Sequence, residues 1–181
     1  MATIVSCELP GHALLDKYRN RSQSTSAGAY TDCFSVQVDG VITLSEFVYA
    51  FYTTIVFKLE RVILQYLAGR PSTDRDARHL ADAATNSFAA WSVEDRAEDQ
   101  LLMCDFRRRT RSWFMVEPVV SASGVGTRLY FGSAVVPVEN KSTGRREIGK
   151  AFSLLLGFHK LYSIVLLRAA ARRLRKNARQ K

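Results

Sequence analysis

The chain has 181 residues, 47% of them hydrophobic and 24% charged, an ordinary globular composition that excludes a disordered, collagen-like or low-complexity polypeptide. That length suits one domain, able to bury about 70% of the surface its unfolded chain exposes. The formal charge of +9 is uneven: residues 168–181 hold seven Lys and Arg and no acid, and the rest of the chain has 19 bases against 17 acids.

Residues 1–28 read as an N-terminal arm, loosely attached, ending in a polar loop of small residues. The start of the chain lacks the basic and apolar blocks of a signal peptide. Residues 29–38 alternate, with Tyr30, Phe34, Val36 and Val38 on one face, the signature of a half-buried strand. After the Asp39-Gly40 turn, Thr43 stands three residues before Glu46, a capping box. An apolar helical stripe follows: Leu44, Phe47, Val48, Phe51, Ile55, Leu59, Val62, Ile63 and Tyr66. The β-branched run Thr53-Thr54-Ile55-Val56 lowers helix propensity and predicts a break into two helices. Ser72 can cap a third helix, with Ala77, Leu80, Ala81 and Ala84 on one face.

The period then changes to two. Residues 87–95, 99–106, 109–119 and 127–138 read as strands, the middle two joined as a hairpin near Arg107-Arg108. Residues 139–146 form a polar loop, and a helix with Phe152, Leu155, Leu156, Phe158, Tyr162, Val165 and Leu166 on its apolar face closes the chain. The order predicts an α+β domain over residues 29–171. Its antiparallel sheet, of five or more strands, curves around the long C-terminal helix, and two or three helices follow the first strand. Residues 172–181 form a basic tail.

The element order resembles the helix-grip fold of the START-like and polyketide-cyclase-like superfamily. The stretches FYTTIVFKLERVIL (51–64), RTRSWFMVEP (109–118), GTRLYFGSAVVP (126–137) and GFHKLYSIVLLR (157–168) are similar to an uncharacterised bacterial family, a domain of unknown function. The resemblance implies a cavity between sheet and last helix, and no chemistry that can be carried over to particular residues.

Enzyme signatures are weak, and an enzyme is the less favoured class. His12, His79 and His159 have no metal-ligand spacing, so no metal and no cofactor are expected. Gly132-Ser133-Ala134 only echoes a nucleophile elbow. Cys7, Cys33 and Cys104 are odd in number, with no C-x-x-C, which suits a reducing, cytoplasmic compartment. Two segments, 47–57 and 151–171, approach membrane hydrophobicity. The first is too short to span, and His159, Lys160 and Arg168 interrupt the second.

Two functional readings follow, with a cyclase- or hydrolase-like enzyme in the same cavity as a minor third that rests on the superfamily resemblance alone. In the first, a small apolar or amphipathic molecule sits in the cavity. Trp91, Trp113, Tyr130 and Tyr162 would line it, His159 would also contact the ligand, and Arg111 would hold an acidic group at the rim. The ordinary structural alternative makes Arg111 a surface residue stacked on Trp113. In the second, Arg172, Arg173, Arg175 and Lys176 contact an anionic membrane or an acidic partner; the ordinary alternative is a solvated helix end. Nucleic acid is an unfavoured partner, since Asp95, Glu98, Asp99 and Asp105 lie near the arginine cluster 107–111.

Overall fold

The computed structural model describes residues 3–21, 29–121, 124–139, 146–147 and 150–178. Nine strands and five helices are assigned among them. In chain order they are β1 (Val5–Ser6), α1 (Asp16–Arg21), β2 (Tyr30–Asp39), α2 (Leu44–Tyr52), α3 (Ile55–Ala68), α4 (Asp74–Ala81), β3 (Ser87–Phe88), β4 (Trp91–Arg96), β5 (Gln100–Asp105), β6 (Thr110–Ser121), β7 (Gly124–Val135), β8 (Val138–Glu139), β9 (Arg146–Glu147) and α5 (Lys150–Ala178).

Seven strands form one antiparallel sheet in the order β1-β2-β7-β6-β5-β4-β3. β8 and β9 pair as a separate ribbon. The sheet has more than the five strands read from the sequence for two reasons. Val5–Ser6 adds an edge strand on β2. The stretch read as one strand from residue 87 to 95 is two, reversed at Ala89, whose φ is 52°.

The capping box forms as the spacing predicts: the Glu46 amide donates to the Thr43 hydroxyl, and the Thr43 amide to the Glu46 carboxylate. The break after α2 also forms, and its cause is local. Thr53 Oγ1 donates to the carbonyl of Tyr49 at 2.5 Å, and Thr54 Oγ1 to that of Phe51 at 2.9 Å. The Tyr49 carbonyl also keeps its ladder bond from the Thr53 amide, while the Phe51 carbonyl accepts from the Thr54 amide in a tighter three-residue turn, and Thr54 Oγ1 then accepts from the Phe57 amide of α3. The cap of α4 is Thr73, not Ser72, paired with Asp76 in a second capping box.

Both faces of the sheet are covered. On the front, Phe34, Val36 and Val38 of β2, Phe114 of β6, and Leu129 and Phe131 of β7 meet α2, α4 and α5. Phe47, Phe51, Tyr52 and Phe57 interlock with Phe88, Phe114 and Phe131 at ring separations of 4.7–6.3 Å. α5 contributes Leu166, Leu167, Ala170, Ala171 and Leu174.

The back is covered by the N-terminal arm. The sequence reading leaves this arm loosely attached; instead Leu9, Ala13, Leu15 and Tyr18 bury Trp113, Met115, Tyr130 and Ala134. Gln100 fastens it. The Gln100 carboxamide oxygen accepts from the Leu14 amide and from Trp113 Nε1, each at 2.9 Å, and its nitrogen donates to the His12 carbonyl. Gly132 makes room for the contact: a Cβ there would stand 2.9 Å from the Asp32 carbonyl oxygen and 3.0 Å from Leu15.

α3 departs most from its predicted face. Leu59, Val62, Ile63 and Tyr66 continue the apolar stripe of α2 in the sequence, yet all four are exposed. The non-helical joint at Thr53-Thr54 re-phases the second helix, so Phe57 and Glu60, one turn apart, face inward. Nor is the basic segment a separate tail over its first residues. α5 runs through Ala178, and Leu174 lies in the core.

Candidate functional site

A partly open cavity of about 170 Å³ lies between the front of the sheet, the α2–α3 corner and α5. Half of the residues in its walls are aromatic. Phe51, Tyr52 and Phe57 come from the corner, Trp91 and Phe131 from the sheet, and Tyr162 and Leu166 from α5. Thr110, Ser112 and Ser163 add hydroxyl groups.

The chemistry concentrates at Glu60. The Tyr162 hydroxyl donates to Glu60 Oε2. Burial raises the Glu60 pKa, and the Tyr162 bond only partly offsets the rise. Burial and the Glu60 charge together push the Tyr162 phenol far above its usual range. Tyr52, 1% exposed, is also pushed far up, first by burial and then by Glu60. Its hydroxyl has no hydrogen-bond partner among the described residues. An unmet buried hydroxyl costs about 1–3 kcal/mol. The cavity thus joins aromatic walls to one carboxyl and one engaged phenol, and the Tyr52 ring lines it while the unpartnered Tyr52 hydroxyl is itself buried.

Of the residues singled out in the sequence, Trp91 and Tyr162 meet here. Trp113 and Tyr130 do not. They lie on the back face, where Tyr130 donates to Glu117 at 2.7 Å and Trp113 is fully buried under the arm. Strand parity decides this: Thr110, Ser112 and Phe114 look to the front, so Arg111, Trp113 and Met115 look to the back. The His159 side chain lies outside the described residues.

Arg111 borders the cavity, but its charge is committed elsewhere. Its Nε donates to Glu94 at 2.9 Å, its Nη1 to the Arg108 carbonyl at 2.5 Å, and its guanidinium stacks on Tyr18, 4.8 Å from the ring centre. It stacks on Tyr18, not Trp113, and holds Glu94 instead of a ligand's acidic group. Burial alone would raise the Glu94 pKa. Hydrogen bonds from Tyr18, Lys17 and Arg111 outweigh that and hold it at about 2. Burial and the Glu94 bond push Tyr18 up to about 12. The neighbouring hollow on the back face, lined by Lys17, Tyr18, Glu94, Arg108 and Arg111, is therefore already charge-paired.

The basic residues of α5 divide. Arg173 donates to the Thr53 carbonyl at 2.7 Å, and Arg175 to that of Gln37 at 2.9 Å. Arg172 and Lys176 are exposed. Among the described residues, no three His, Cys, Asp or Glu side chains are placed to share a metal ion, and no helix is long and apolar enough to cross a membrane.

Phe51, Tyr52, Phe57 and Glu60 also line the cavity, and the sequence alone does not single them out as site residues. A signal existed for Glu60: it falls one turn after Phe57 in a helix with no other acid. No family model and no curated protein matches the chain.

Proposed function

We propose that the protein binds a small, mainly apolar molecule with one uncharged polar group, held between the sheet, the α2–α3 corner and α5. The single observation that carries this reading is an aromatic-walled cavity that holds the Glu60–Tyr162 pair and is lined by Tyr52, whose buried hydroxyl has no partner among the described residues. A dry apolar cavity of about 150 Å³ accepts benzene, so this one suits a substituted ring or a short acyl chain. An anionic group is disfavoured, because Glu60 occupies the polar end and Arg111 is paired with Glu94. The strand order and the closing helix support a helix-grip-like framework for this binding. A cytoplasmic location belongs to the same reading, supported by three unbridged cysteines.

The two tryptophans supply the test, since Trp91 lines the cavity and Trp113 lies behind the sheet. In a Trp113→Phe background, benzyl alcohol and neutral phenols should change Trp91 fluorescence and raise the melting temperature. Benzoate should do neither. Tyr52→Phe should weaken binding about fivefold, the size of one net hydrogen bond, while raising the melting temperature of the free protein by roughly 2–4 °C per kcal/mol of relieved desolvation. Opposite signs for affinity and stability mark a group kept for a ligand. If no neutral probe perturbs Trp91 or the melting temperature, the reading fails.

A further inference from the structure

The re-phasing of α3 leaves an apolar helix face in water. Ile55 is 87% exposed, Leu59 65% and Tyr66 81%. α5 exposes Leu161 and Val165. Two bonds fix how the helices run. Tyr162 reaches Glu60, and Arg173 reaches the carbonyl of Thr53, so α5 advances as α3 recedes and the pair is antiparallel. At 100° per residue from the Glu60–Tyr162 contact, Leu59 and Ile63 of α3 fall on the same side of the pair as Leu161 and Val165 of α5. Arg168 and Arg172 continue the α5 stripe on that side. Both are exposed, and neither forms an ion pair with a described residue.

Charge selects the occupant. α3 and α5 together contain one acid, Glu60, which is turned inward. A second copy docking face to face would set Arg168 and Arg172 against their own kind, or against aliphatic side chains. An anionic lipid surface meets both halves of the patch, taking the aliphatic side chains below the headgroups and the arginines at the phosphates. Tyr66 suits the same interface, with an apolar ring and a polar tip.

We propose that the α3–α5 face docks on an anionic lipid bilayer, with Leu59, Ile63 and Tyr66 entering the headgroup layer and Arg168 and Arg172 binding its phosphates. The proposal stands apart from ligand binding in the cavity and uses different side chains.

Co-sedimentation of the full chain with phosphatidylcholine vesicles, with and without phosphatidylserine, tests it. Binding should need phosphatidylserine and weaken with salt. Arg168→Gln and Arg172→Gln should each lower partitioning about fivefold. The triple change Leu59→Gln, Ile63→Gln, Tyr66→Gln should lower it at least about tenfold; these residues are exposed, and an unchanged circular dichroism spectrum confirms that the fold is intact. Tyr52→Phe should bind vesicles like the parent, so loss of the cavity reading leaves this result untouched. Failure to bind phosphatidylserine vesicles at low salt overturns the proposal. So does binding that is insensitive to the triple change, or a dimer in sedimentation equilibrium that the triple change dissociates.

Discussion

Glu94 and Cys7 show how neighbours set the chemistry of single residues. Glu94 titrates near pH 2 in the folded protein, against 4.5 without neighbours. Its folded pKa is depressed, so its stabilising contribution is complete above about pH 4.5 and is lost as pH falls toward 2. Glu94→Gln should lower the melting temperature at neutral pH and converge with the parent near pH 2, and melting curves across the acid range check this. Cys7 and Cys33 are 26 positions apart, yet their sulfurs lie 3.1 Å apart across the β1–β2 edge. The Cys33 hydrogen bond, helped by Ser35 and Arg128, brings Cys7 to about 7 against the opposing effect of burial. Burial raises Cys104. Iodoacetamide should therefore modify Cys7 first, with a rate midpoint near pH 7 that moves upward in Cys33→Ala; peptide mass spectrometry reads both. Nothing in the spacing of these cysteines announces the contact, because a register across strands creates it.

The elements were legible where local chemistry decides and illegible where facing does. Thr43–Glu46, the break at Thr53-Thr54 and the hairpin before Arg111 all follow from residues close in sequence. Trp113 and Tyr130 could not be assigned a side, since alternation gives two faces and not which one is the front. Glu60 stood between Lys58 and Arg61, as a solvated residue would, until the altered phase of α3 turned it toward Tyr162. The arm's apolar residues Leu9, Ala13, Leu15 and Tyr18 follow no single period, so no element that would dock it is legible in the sequence. Their burial makes it part of the domain. Leu15→Ala should cost about 3 kcal/mol in urea unfolding, the usual result for a fully buried leucine. Deleting residues 1–21 should shift Trp113 emission to the red, since nothing else in its cluster would replace the arm.

Across the whole molecule, stability should fall from the middle of the sheet to its edges. β6 and β7 are each hydrogen-bonded on both sides, and Trp113, Phe114 and Leu129 within them are fully buried. β1 and β3 are two-residue edge strands. Amide hydrogen exchange should therefore be slowest in residues 111–116 and 127–134 and fastest in β1 and β3, with α3 exchanging faster than α2 because so little of it is buried.

The placement of β7 between β2 and β6 has a kinetic consequence. Paired positions such as Asp39 and Gly126, or Tyr30 and Val135, are separated by roughly 90 to 105 residues, so this pairing forms only after a large loop closes. During translation at roughly 5–20 residues per second, β2 leaves the ribosome about 5–20 s before its neighbour. For that time its Phe34, Val36 and Val38 lack the long β7 partner, and only the two-residue β1 can pair with it, at Phe34 and Ser35. A nascent chain halted before residue 124 should accordingly recruit a chaperone, and one extended through α5 should release it.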